Sequence, residues 1–117
     1  MSDVHEPENL DARTQLVELF LRRSRAEVEQ MRRSVPQLIE GEDAAWRDLC
    51  FLAQRIAGMA AGLELGTLSA CARELHTLAE DRFTRASVDA HFLLSVTSAI
   101  EMIAIELNAR FDAPFRG

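Results

Sequence analysis

Apolar residues recur at intervals of three, four and seven positions through most of this sequence. That spacing places them on one face of an α-helix rather than on a strand. The 117 residues include only three prolines and five glycines that could interrupt such segments. Four helices are predicted, at about residues 10–35, 44–63, 67–81 and 87–110. Because the connections between them are short, the simplest way to bury their apolar faces is an all-α, antiparallel up-down-up-down four-helix bundle.

The predicted helix ends depend on a few polar residues and one proline. We expect Pro36 to weaken or end the first helix, Asp43 to cap the second and Ser87 to cap the fourth. The apolar positions predict one core, which contains Trp46, Ile56, Leu68, Leu75, Val96 and Ile103.

The domain organisation follows from where this apolar pattern begins and stops. One helical domain is expected over residues 10–111, with a flexible N-terminal tail at residues 1–9 and a frayed C-terminal tail at 112–117. An apolar content of 48% with 27% charged residues is ordinary for one globular domain.

The net charge of −6 argues against nucleic acid as a partner, because phosphate binding needs a concentrated cationic face. Arginines do cluster between Arg22 and Arg33, where they alternate with glutamates. This cluster is interpreted as a solvated, salt-bridged helix face, with a docking surface for an acidic partner as the alternative.

Standard catalytic and metal-binding motifs are missing from the sequence, so neither an enzyme nor a cofactor is expected. Three histidines, His5, His76 and His91, are too few and too scattered for a metal site. Cys50 and Cys71 lie in apolar helical stretches and are expected to be reduced, buried thiols. We expect no segment long and apolar enough to span a membrane, and we expect a cytoplasmic monomer.

The segment around Gln54 is the most informative part of the chain. Ala57, Gly58 and Ala61 follow Gln54 at spacings of three, four and seven, so four residues share one helix face with small side chains around the glutamine. Glycine inside a helix costs about 1 kcal/mol relative to alanine, so Gly58 needs a reason. It could allow close packing of a neighbouring helix, or it could keep a docking surface low.

The two central helices together resemble the histidine-containing phosphotransfer (HPt) family of bacterial phosphorelays. The family pattern has an acceptor helix with Ala-His and Gly-x-Ala elements, a Leu-Gly turn and a second helix with regularly spaced leucines. Positions of this sequence that fit it are Ala53, Ile56, Ala57, Gly58, Ala60, Leu65, Gly66, Leu68, Cys71 or Ala72, and Leu75.

The resemblance implies a signalling module that docks on response-regulator receiver domains and interacts with a histidine kinase. It also places Gln54 where the family carries its phosphorylated histidine. A glutamine amide is scarcely nucleophilic and cannot carry the phosphoryl group, so the usual transfer at this position would be lost. The binding residues implied by this alignment are Gln54, Arg55, Ala57, Gly58 and Ala61.

Two alternatives remain at this stage. An active phosphotransfer protein would require either that Gln54 is an introduced substitution or that another histidine is the acceptor. In a helical hairpin that turns near Leu65, His76 lies level with Gln54, although a solvated flank position is the simpler interpretation of His76; His91 is expected near a bundle end. The other alternative is a purely structural or assembly bundle.

Overall fold

The computed structural model describes the backbone of residues 2–112 and the side chains of residues 11–111. This part of the chain is helical and contains no strand, so the all-α prediction is confirmed. There are five helices rather than the predicted four. They are α1 (Ser2–Arg33), α2 (Val35–Ile39), α3 (Asp43–Gly62), α4 (Gly66–Asp81) and α5 (Ala90–Asp112). The predicted C-terminal tail lies outside the described residues, apart from Asp112.

The first predicted helix is two helices in the structure. α1 ends at Arg33, and the five-residue α2 follows with Pro36 in its first turn, where a proline without an N–H group is tolerated. At the other end, α1 begins at Ser2 rather than near Leu10. The sequence did not predict this earlier start, because residues 2–9 have no apolar repeat that indicates a helix. The flexibility of residues 1–9 stays a prediction.

Two predicted helix caps are wrong. Asp43 is the first residue of α3 rather than its cap, and its carboxylate accepts a hydrogen bond from Arg82 (3.1 Å). At the start of α5, Asp89 caps instead of Ser87, since Asp89 Oδ1 accepts the backbone N–H of Phe92 at 2.8 Å. At α3 the capping position is occupied by Glu42, whose side chain makes no capping hydrogen bond. At α5 the turn geometry selects Asp89, because its side chain reaches a free amide of the first turn.

Replacing Asp89 with alanine should therefore lower the free energy of unfolding by about 1 kcal/mol, because the first turn of α5 loses its cap. Ser87→Ala is the matched control and should change stability by less than about 0.5 kcal/mol. Chemical denaturation of both variants checks this. A larger loss for Ser87→Ala than for Asp89→Ala would show that the cap has been assigned to the wrong residue.

The core contains the residues that the apolar pattern predicted. All six of Trp46, Ile56, Leu68, Leu75, Val96 and Ile103 are at most 1% exposed. The indole Nε1 of Trp46 donates a hydrogen bond to the carbonyl of Leu38 (3.1 Å), so its one polar group is satisfied inside the core. Leu16, which belongs to the apolar repeat of α1, is an exception because 58% of it is exposed.

Polar contacts show how the long helices lie against one another. Helices α3 and α4 form a hairpin that turns through Glu64, whose φ of +62° lies in the left-handed region. The N–H of Leu65 closes the turn on the carbonyl of Ala60 at 2.8 Å. Arg13 of α1 donates to the carbonyl of Leu63 at the end of α3 (2.9 Å).

Helices α1 and α5 are joined by a two-point ion pair. The guanidinium of Arg32 donates to both carboxylate oxygens of Glu101, at 2.7 and 2.8 Å. These hydrogen bonds hold the pKa of Glu101 below its usual value. Both side chains are partly exposed, so solvent screening limits the contribution of the pair to stability.

One helix in the described part of the chain, over Ala90–Phe111, is long and apolar enough to cross a membrane by length and composition. The expectation that no segment reaches this length was therefore wrong. A helix that lines a protein core passes the same test, and α5 contributes Phe92, Ile100 and Leu107 to the core.

Candidate functional site

An open groove runs along the surface of the α3–α4 hairpin. Small and polar residues from both helices line it: Gln54, Ala57, Gly58, Ala61, Ser69, Arg73 and His76. The two helices are tied across the groove by the Ser69 hydroxyl of α4, which donates to the carbonyl of Ala57 on α3. We refer to these seven residues as the hairpin groove.

Gln54 lies in the middle of α3 with its side chain exposed, as predicted. Among the described residues, none forms a hydrogen bond with the side-chain amide of Gln54. Gly58 and Ala61 are also exposed, whereas Ala57 is 7% exposed and faces α4. The structure therefore brings together the four residues that the sequence placed on one face.

The space around Gly58 distinguishes between the two explanations for this glycine. A Cβ atom built at Gly58 would have no heavy atom from another part of the fold within 4 Å, and the same holds for Gly62. Among the described residues, no neighbouring helix approaches either glycine, so the explanation by close helix packing is wrong for both. The low surface beside Gln54 instead leaves room for something outside the chain.

Two groove residues, Ser69 and Arg73, were missed by the sequence analysis. The Ser69 hydroxyl is buried and donates to the carbonyl of Ala57 at 3.0 Å, which ties α4 to α3. A guanidinium nitrogen of Arg73 lies 3.4 Å from the same hydroxyl oxygen. The hairpin geometry that placed His76 beside Gln54 also places Arg73 beside Ala57, so the signal was present but was applied to histidine alone.

His76 lines the same groove as Gln54. Its side chain is 21% exposed, and its Nε2 atom is 3.8 Å from the carboxylate of Glu80. His76 is thus less solvated than a flank position would be.

Arg55 does not join the hairpin groove, although the sequence grouped it with Gln54. It points toward α1, where it forms an ion pair with Glu27. Burial lowers the pKa of Arg55, and the nearby charge of Arg23 lowers it further. Arg55 lines a second groove between α1 and α3, together with apolar residues such as Leu19 and Met59.

The other candidate residues lie apart from the hairpin groove. His91 is exposed in the first turn of α5, and the side chain of His5 lies outside the described residues. Cys50 and Cys71 are free thiols, but they are half-buried rather than buried as predicted, and this partial burial is the main cause that raises their pKa values. Within the described residues, no three His, Cys, Asp or Glu side chains are grouped so that they could hold a metal ion.

The fold and the groove define a class of protein: a small helical bundle that presents an exposed, low surface on a helical hairpin. The family model of the Hpt domain matches residues 15–109, so the chain belongs to the Hpt domain family. Hpt domains are phosphotransfer modules of two-component signalling, and they carry phosphoryl groups rather than act as catalytic enzymes. Their general partners are response-regulator receiver domains and kinases. No curated protein and no solved structure matches the chain.

Proposed function

We propose that this Hpt domain docks on a response-regulator receiver domain through the hairpin groove and does not accept a phosphoryl group at Gln54. The observation that carries the proposal is the open space beside Gln54, where Gly58 and Ala61 are exposed and no described residue from another part of the fold approaches Gly58. A receiver must bring its aspartate and metal ion close to the acceptor position, and only a low surface permits that approach.

The chemistry of the side chain at position 54 sets the outcome of docking. A neutral imidazole nitrogen can attack a phosphoryl group, whereas the lone pair of an amide nitrogen is delocalised into the carbonyl and is scarcely nucleophilic. The Gln54 amide can still donate and accept hydrogen bonds at a protein interface. The protein then acts by occupying a receiver rather than by passing on its phosphoryl group.

The proposal also covers the helix topology, the cellular compartment and the oligomeric state. Contacts of α1 with α3 and α5, and the α3–α4 hairpin, support an up-down-up-down arrangement of the four long helices. Free thiols at Cys50 and Cys71 are compatible with a reducing cytoplasm. We propose a cytoplasmic monomer.

A second candidate function is phosphotransfer through a displaced acceptor. The observation that favours it is the position of His76, which shares the groove with Gln54. In this case the receiver's phosphoryl group would move to the imidazole of α4 rather than to a residue of α3.

Two substitutions at Gly58 test the proposed docking surface. Gly58→Ala should raise the free energy of unfolding by about 0.5–1 kcal/mol, because alanine is the better helix former and its methyl group meets open space. Gly58→Trp should fold but lower the affinity for a receiver at least tenfold, because the indole fills the approach to Gln54. The measurements are chemical denaturation and calorimetric titration with purified receiver domains.

The matched control is Met59→Trp, which places the same side chain one residue along α3, at an exposed position that lines the α1–α3 groove. Its affinity for the receiver should remain within about twofold of the unsubstituted chain. Equal binding by Gly58→Trp and the unsubstituted protein would contradict docking at the hairpin groove.

A further inference from the structure

We propose that Arg73 pairs with the phosphoryl group on the receiver's aspartate, and thereby makes docking depend on the phosphorylation state of the partner. This inference rests on the proposed function and names the residue that would distinguish the two states of the receiver. It concerns recognition alone and involves no transfer step.

The position of Arg73 is set by contacts within the hairpin. Its guanidinium lies 3.4 Å from the Ser69 hydroxyl, and Ser69 in turn donates to the carbonyl of Ala57. These two contacts place the Arg73 guanidinium of α4 beside the point where Ser69 contacts α3. Arg73 therefore lies in the same groove as Gln54 and its small neighbours. Arg73 itself is exposed, so its remaining N–H donors are available to a ligand.

Arg73 differs from most of the other described arginines because it forms no ion pair with a carboxylate. Arg32, Arg55 and Arg82 each form an ion pair with a carboxylate of this chain. Across the described side chains, Arg73 has no such carboxylate partner, and its positive charge is not compensated by a salt bridge. An anion from outside the chain can therefore bind it without first displacing an internal partner.

The charge of the whole protein makes this cation important. With a net charge of −6, the chain repels an acidic partner unless a positive group lies at the contact. A receiver's acceptor site is acidic, and phosphorylation replaces the single negative charge of its aspartate with a phosphoryl group of about −1.5 to −2 charges and three acceptor oxygens. The planar guanidinium fork matches phosphoryl oxygens in both charge and geometry. We therefore expect Arg73 to increase the affinity for the phosphorylated receiver more than the affinity for the unphosphorylated one.

The test compares Arg73→Gln with the unsubstituted protein. Purified receiver domains from the source genome are titrated calorimetrically in two states, untreated and treated with beryllofluoride and Mg²⁺ as a mimic of the aspartyl phosphate. Arg73→Gln should weaken binding of the treated receiver about tenfold and binding of the untreated receiver about twofold or less. Arg73→Lys should retain more affinity for the treated receiver than Arg73→Gln, since it keeps the charge.

The control is Arg22→Gln, because Arg22 is also exposed and lies outside the groove, on α1. It should leave both affinities unchanged. If the unsubstituted chain binds receivers but Arg73→Gln weakens both states equally or neither, this inference is overturned while the proposed function survives. A chain that binds no receiver in either state overturns the proposed function, and this inference with it.

Discussion

Gln54→His should convert the protein from one that accepts no phosphoryl group into one that does. A neutral imidazole nitrogen would attack the aspartyl phosphate of a docked receiver, forming an N–P bond as the P–O bond to the aspartate carboxylate breaks. The measurement is transfer of radiolabel from a phosphorylated receiver, read under alkaline conditions that preserve phosphohistidine. Binding of the receiver should change little, because the two side chains are of similar length.

The structure gives the physical reason to expect this gain. Position 54 is exposed in the middle of a rigid helix, and Gly58 and Ala61 leave the approach open. The missing element is then the nucleophile rather than the docking surface, since the groups that polarise the phosphoryl group come mainly from the receiver and its metal ion.

The control for this experiment is the second histidine of the groove. His76→Gln, alone and combined with Gln54→His, separates transfer to position 54 from transfer to α4. Label on the unsubstituted chain that disappears in His76→Gln would contradict the prediction and establish His76 as a displaced acceptor. Failure of Gln54→His to accept label while receiver binding is intact would show that a neighbouring position, such as Ala57, also lacks a side chain that transfer requires.

Truncation of the core at the hairpin should cause the largest losses of stability. Ile56→Ala and Leu75→Ala are each expected to lower the free energy of unfolding by about 2–5 kcal/mol, because both side chains are fully buried and their removal leaves a cavity. Such a loss is a large fraction of the total stability of a small domain. Chemical denaturation measures it.

The control is Leu19→Ala, which removes a leucine side chain that is 63% exposed on α1. We expect a change of less than about 0.5 kcal/mol. If Ile56→Ala and Leu75→Ala cost no more than Leu19→Ala, the apolar stripe of the hairpin does not form the core.

Regular apolar spacing was sufficient to predict the long helices and the core. Trp46 and Leu68 were identified as buried because a helix has only one face to bury, and the period of the pattern indicates which face it is. The pattern could not show the separate α2, because a single turn of helix is too short to have a period. It could not identify Asp89 as a cap either, because capping depends on backbone geometry at the turn.

The hairpin groove could be predicted in part. Gln54, Gly58 and Ala61 lie on one α-helix, so their spacing alone places them together. Arg55 is adjacent in sequence but turns toward Glu27 on α1, since successive residues of a helix point about 100° apart. Arg73 lies on the other helix of the hairpin, so its place in the groove depends on how α3 and α4 pair. The sequence analysis used that pairing for His76 and did not extend it to Arg73.

The buried indole of Trp46 has a practical consequence for every variant proposed above that adds no second tryptophan. The chain contains one tryptophan and no tyrosine, so its intrinsic fluorescence above 295 nm excitation comes from this one side chain. Trp46 precedes Gln54 by about 12 Å along α3 and lies fully inside the core, away from the groove. Its emission therefore reports whether the protein is folded and is insensitive to what occupies the groove. With a receiver that lacks tryptophan, this emission reports the folding of the Hpt domain alone, while calorimetry measures docking.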